Sequence, residues 1–193
     1  MAGIDTGKGV MMTRLGEWNP QELGDRIERL ESLTEIRQLP PRYGLAVDSR
    51  DLDALVDLFV PDVQVGRDRH GRPALKEWFV ESLSRMRATV HFVGNHVVDF
   101  DSPDLAHGVV YCRDELERPD RGEWEVGMLQ YRDTYRRVAG EWYFERRKFY
   151  RWYICDALTR PTLGFGADPG TLTANQLPDA FPTWAAFWEH RDG

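Results

Sequence analysis

The chain has 193 residues, 41% of them apolar and 12% aromatic, enough for one domain with a sizeable core. A net charge of −7 and a pI of about 5.3 argue against nucleic-acid binding, which favours basic surfaces. Cys112 and Cys155 give neither a disulfide framework nor zinc-ligand spacing, and read as buried thiols of a reducing, cytoplasmic compartment.

Residues 1–18 contain glycines, Lys8 and Arg14 but no apolar stretch, so they read as a flexible arm and not as a secretory signal. No apolar run approaches the length of a membrane span. A first helix is expected from Asn19 as cap, Pro20 at the first helical position and Glu22 three residues after the cap. Leu23, Ile27, Leu30 and Leu33 then recur at helical spacing. Pro40-Pro41 is expected to break or kink this run, with Pro41 opening a second helix to about Ser49. Asp51 to Phe59 reads as a short helix striped by Leu52, Leu55, Val56 and Phe59, and Val63 to Val65 as a short strand. Gly71 and Pro73 introduce another helix through about Met86.

Four strand-like segments follow, Ala88 to Phe100, Leu105 to Glu117, Trp124 to Val138 and Glu141 to Ile154. Turn signals at 101–104, 119–122 and Ala139-Gly140 join them as hairpins. Helices first and strands later mean an α+β domain over 19–156 with a mostly antiparallel sheet. The C-terminal extension, 157–193, is rich in Gly and Pro and then in aromatics (Phe181, Trp184, Phe187, Trp188), which suits packing on the domain or on a neighbouring subunit.

The order of elements resembles the nuclear-transport-factor-two-like superfamily. The stretch RYGLAVDSRDLDALVDLFVPDVQV resembles the SnoaL-like signature, a tyrosine-bearing helix leading to an aspartate and then to a D-x-x-x-L-x-x-L-F helix. Thr89 to Val98 and GEWYFERRKFYRW resemble strands of the same family. The resemblance covers roughly 20–155. It implies a cone-shaped α+β barrel, with N-terminal helices packed on a curved sheet. The spacing is closest to scytalone dehydratase, bile-acid 7α-dehydratase and lindane dehydrochlorinase, which pair an aspartate near the end of the second helix with a histidine on the first long strand. Asp48 and His91 match those positions, Tyr43 matches a tyrosine of the bile-acid enzyme, and Arg147 or Arg151 matches a basic residue of the last strand.

As chemistry, an imidazole takes and returns a proton near neutral pH. Strand alternation puts His91 on one face with Val93, Asn95 and Val97, and turns His96 the other way. The plain alternative for His91 is a core histidine bonded to a backbone carbonyl. Asp48 can orient the imidazole and stabilise the imidazolium. Otherwise it caps a helix or faces water. A carboxylate at a helix C-terminus faces the unfavourable end of the dipole, so it needs a partner. Tyr43 and Asp48 diverge by about 140° on an ideal helix; Tyr43 reads as a hydrogen-bond donor to a substrate oxygen or as a core filler. Alternation pairs Arg147 with Arg151 and Arg146 with Lys148, one pair facing inward to hold a carbonyl or anion. Asn95 and Tyr131 are further substrate-binding candidates. No histidine pair has metal-ligand spacing, and no phosphate loop or nucleophile elbow is present.

The expected function is a cofactor-independent lyase, a dehydratase acting on a small hydrophobic cyclic or polycyclic substrate. An isomerase shifting a double bond, a non-catalytic ligand-binding protein and an accessory subunit like that of aromatic-ring dioxygenases share the fold, and fold alone does not choose among them. A homo-oligomer is expected, a trimer by likeness to the dehydratases, with a dimer as the second choice.

Overall fold

The computed structural model describes residues 18–159 together with Leu177, Phe181 and Thr183. Most of the expected N-terminal arm and C-terminal extension lies outside the described residues. The elements in chain order are α1 (Leu23–Ser49), α2 (Leu52–Asp57), β1 (Gln64–Val65), β2 (Arg69–His70), α3 (Arg72–Leu83), β3 (Ala88–Ser102), β4 (Leu105–Arg118), β5 (Glu123–Val138) and β6 (Glu141–Asp156). The fold is α+β. The described helices are not long and apolar enough to cross a membrane.

The prolines do not divide the first helix. α1 runs through Pro40 and Pro41, although each removes a donor and crowds the preceding turn. Packing outweighs that local cost, because the face carrying Ile36, Leu39, Pro40, Gly44 and Val47 is buried. Asn19 is not the cap either: Glu22 is, without a side-chain bond. The regular stripe of Leu23, Ile27 and Leu30 points outward, at 71%, 48% and 60% exposure, so helical spacing here marks a surface and not the core.

At its other end α1 stops on Arg50, in the left-handed region at φ 61°. Arg50 N–H donates to Val47 O at 3.1 Å and Asp51 N–H to Ala46 O at 3.0 Å, the paired bonds of a Schellman ending. Asp51 then caps α2 by accepting from Ala54 N–H at 3.0 Å. Beyond α2 the chain joins the sheet, with Val60 N–H donating to Phe144 O and Phe144 N–H to Leu58 O. The small β1–β2 hairpin, of which only the first strand is legible in the sequence, leads to Gly71, whose φ of 87° opens α3. α3 ends at Leu83, one turn earlier than the sequence suggests.

The four long strands form one antiparallel meander, β3-β4-β5-β6, within two residues of their predicted ends. Ala139 and Gly140, at φ 52° and 91°, make the tight turn between β5 and β6. On β4, Ala106, Gly108, Val110, Cys112, Asp114 and Leu116 are all buried and alternate with more open positions, the period-two pattern of a strand with one face on a core. α1 packs against both edge strands, β3 and β6. A flat four-stranded sheet would hold those edges about 14 Å apart, so the sheet must curl around the helix. It is a cone, and it is not closed. One half is filled by Phe59, Phe100, Tyr135, Trp142 and Phe144 against α1. Val110, Cys112, Leu129 and Tyr131 form a second layer further along the concave face.

Candidate active site

α1 approaches β3 where it carries no side chain. A Cβ on Gly44 would lie 3.1 Å from His91 Cβ and 3.5 Å from Val93 Cγ2. Asp48 is one turn further along the same helix face and so meets His91. Its Oδ1 lies 2.7 Å from His91 Nδ1. The Thr89 hydroxyl donates to the same oxygen at 2.8 Å, and the His91 backbone N–H donates to Oδ2 at 2.8 Å. These donors compensate a carboxylate standing at the wrong end of a helix dipole. The imidazole side chain is 7% exposed and the carboxylate 26%. His91 Nε2 makes no hydrogen bond among the described residues.

A second carboxyl group flanks the imidazole. Asp114 pairs with His91 across the β3–β4 ladder. It is buried, and its Oδ1 has no partner among the described residues. The carboxyl lies over Gly127, where a Cβ would come within 2.0 Å of Oδ1, so this position needs glycine. Burial pushes the Asp114 pKa up, against the pull of His91 and Arg151. Asp114 is not among the sequence candidates, although it shares the inward parity of Val110, Cys112 and Leu116.

Tyr43 lies deeper. Its ring meets His91 edge-on at 6.2 Å and Tyr131 at 5.9 Å, with Phe59, Phe79 and Phe144 around it. Burial drives its pKa up to about 12, more than Arg147 can offset, so the phenol stays a proton donor at neutral pH. Neither the Tyr43 nor the Tyr131 hydroxyl has a hydrogen-bond partner among the described residues.

Arg147 closes this floor. Its Nε and Nη2 donate to the two oxygens of Asp133 at 2.9 and 2.8 Å, and its guanidinium lies 4.0–4.4 Å from the ring centres of Tyr43, Tyr131 and Phe144. Burial disfavours the charge, but the Asp133 carboxylate more than restores it and holds the pKa above the ordinary arginine value. Nη1 is buried without a partner among the described residues. Arg151, on the same inward face, lies over the Phe149 ring at 4.4 Å, and its carbonyl accepts from Leu177 N–H at 2.6 Å. Asp133, Thr89 and Arg50 join Asp114 as site neighbours that the sequence reading did not single out.

Asn95 does not line this face. The β3–β4 register shifts between Val93 and His96, and the bulge reverses the alternation that placed Asn95 beside His91. Asn95 is exposed. His96 turns inward in its place, its Nε2 3.0 Å from the Tyr135 hydroxyl, which donates to Asp133 Oδ2 at 3.0 Å. Burial depresses the His96 pKa to about 4.

The sequence profile of the SnoaL-like domain matches residues 28–148, which carry Asp48, His91, Asp114 and Arg147. The chain belongs to the SnoaL-like family. Among solved structures, this SnoaL-like chain resembles a scytalone-dehydratase-like protein of Novosphingobium aromaticivorans at 24% identity and a TM-score of 0.61, over 74% of this chain and 99% of that one. A hexachlorocyclohexane dehydrochlorinase of Novosphingobium barchaimii aligns at 19% identity and a TM-score of 0.61, over 75% of this chain and 99% of that one. At these identities the likeness establishes fold. By sequence, an uncharacterized protein of Mycobacterium tuberculosis is 28% identical over 131 residues, 65% of this chain and 84% of that one. Among the described residues no cluster of three or more His, Cys, Asp or Glu is placed to hold a metal ion.

Proposed function

We propose that this SnoaL-like protein is a lyase that eliminates water from a hydrophobic cyclic substrate whose hydroxyl lies β to a carbonyl. The observation that carries the reading is the 2.7 Å contact between Asp48 and His91 on the concave face, with His91 Nε2 left unbonded among the described residues. His91 Nε2 takes the proton α to the carbonyl. The C–H electrons form the double bond as the C–O bond breaks, and the departing hydroxide takes the proton back from His91 Nε2, leaving as water and restoring the neutral imidazole. Asp48 steadies the imidazolium formed on the way. Tyr43 and Tyr131, held neutral by burial, and the free Nη1 of Arg147 form a floor of donors without acceptors. That chemistry suits a ketone or enolate oxygen. The rings of Tyr43, Tyr131 and Phe149 suit an apolar ring system.

The test is a panel of hydroxylated steroids and polyketides, followed by mass spectrometry, with wild type and His91→Ala. Loss of water by wild type alone supports the reading. Conversion at constant mass would point instead to a double-bond shift by the same base, and turnover unaltered by His91→Ala would overturn the assignment. The exposed Val90 and Phe92 of β3, with the outward Leu23, Ile27 and Leu30, support self-association. We favour a trimer, checked by analytical ultracentrifugation.

A further inference from the structure

Arg50 departs from the backbone conformation of ordinary residues beside the dyad. It sits at φ 61°, ψ 23°, where a side chain with a Cβ is strained and glycine is not. Among the described residues only Ala139, in a hairpin turn, is another non-glycine at positive φ. Strained residues persist where the surroundings over-determine them, and those of Arg50 are specific. Its Nη1 donates to Val47 O and to Thr89 Oγ1, each at 2.7 Å, and its Nη2 donates to Met86 O at 3.1 Å. The left-handed turn folds the guanidinium back across the end of α1, onto the strand that carries His91.

The direction of each hydrogen bond then follows. A guanidinium has donors only, so Thr89 Oγ1 must accept from Arg50. A hydroxyl has one proton, and Thr89 gives it to Asp48 Oδ1 at 2.8 Å. The other carboxylate oxygen is taken by the His91 backbone N–H. A carboxylate has only acceptors, so the 2.7 Å contact to His91 Nδ1 needs its proton on the nitrogen, and the Arg50–Thr89 bonds hold the carboxylate where it makes that contact. An imidazole protonated at Nδ1 keeps its lone pair on Nε2, the nitrogen a base needs.

We propose that Arg50 and Thr89 are positioning residues that fix the tautomer of His91, through the chain Arg50, Thr89, Asp48, His91. The tautomer assignment stands on the hydrogen bonds alone; its consequence for turnover rests on the reading of His91 as the base. Thr89→Val removes the relay at nearly constant shape. Arg50→Gly removes the guanidinium while relieving the backbone, and Thr89→Ser restores the hydroxyl.

The experiment is nitrogen-15 NMR of the full chain labelled at histidine, with the His91 signals among the five histidines assigned by their loss in His91→Ala. In wild type, the neutral form of His91 is expected as the Nδ1–H tautomer. In Thr89→Val and Arg50→Gly its signals move to a mixture of tautomers, and kcat falls on the order of tenfold or more while KM stays within about twofold. Thr89→Ser returns both readouts towards wild type. A wild-type His91 whose neutral form carries its proton on Nε2 overturns the proposal even if no variant folds. So does an Nδ1–H tautomer kept in full by folded Thr89→Val and Arg50→Gly. Should wild type turn over no substrate, the lyase reading fails while the NMR still decides this one.

Discussion

Two histidines on one strand, both turned to the inside of the cone, are put to different uses. His91 stands against a carboxylate that accepts three hydrogen bonds. His96 lies beyond the bulge, bonded to the Tyr135 hydroxyl, with its Nδ1 buried and unpartnered among the described residues. Burial holds His96 neutral, with a pKa of about 4. Residue type, strand and face are shared, so the difference comes from the facing element. The bare Gly44 turn of α1 brings a carboxylate to His91, whereas β5 brings a phenol to His96. Position on the sheet decides which partner an imidazole meets.

Replacing each histidine should break the comparison most visibly. His91→Ala should lower turnover by about 10²–10⁴-fold, whereas His96→Phe should leave kcat within about tenfold, both read by steady-state kinetics on the substrate found in the panel. Arg147, which belongs to the floor of the site, should respond in stability as well as in turnover. Arg147→Met strands the Asp133 carboxylate, which is fully buried, and chemical denaturation should show a loss of about 3–5 kcal/mol.

A pH series sharpens the contrast. Because His96 titrates near 4 when folded and near 6.5 when unfolded, the unfolded chain binds the extra proton between those values. The contribution of neutral His96 is therefore complete above about pH 6.5 and is lost as pH falls towards 4, by roughly 3 kcal/mol. His96→Phe should flatten that part of the curve measured by denaturation. Gly44→Ala should give the smallest change in stability, about 1 kcal/mol from the 3.1 Å approach to His91 Cβ. Its kcat should fall more than its stability suggests, because it pushes the helix that carries Asp48 away from His91.

Much of this was legible in the chain. Val, Tyr, Phe and Trp runs separated by Asp-Ser-Pro-Asp, Pro-Asp-Arg-Gly and Ala-Gly gave the meander, because strand alternation and turn chemistry are local. Asp48, His91 and Tyr43 could be placed by their resemblance to family motifs. Asn95 could not be placed by alternation alone: Gly94 is the local sign of the bulge that reverses its facing, and pairing with β4 defines it. Leu23, Ile27 and Leu30 show the opposite failure: their spacing is helical, yet the helix buries its other side. Asp114 and Asp133 were within reach of a stricter reading, for each has the inward parity of its strand, but a carboxylate inside a cone is the side chain one least expects there.

The sequence by itself determined the order and kind of most elements, because hydrophobic period and turn residues act over a few neighbours. Only the tertiary structure decided that α1 runs unbroken through two prolines, that Arg50 folds back over its end, and which buried polar groups face one another. Those outcomes are set by packing and hydrogen bonding between segments far apart in the chain, and no local pattern encodes them.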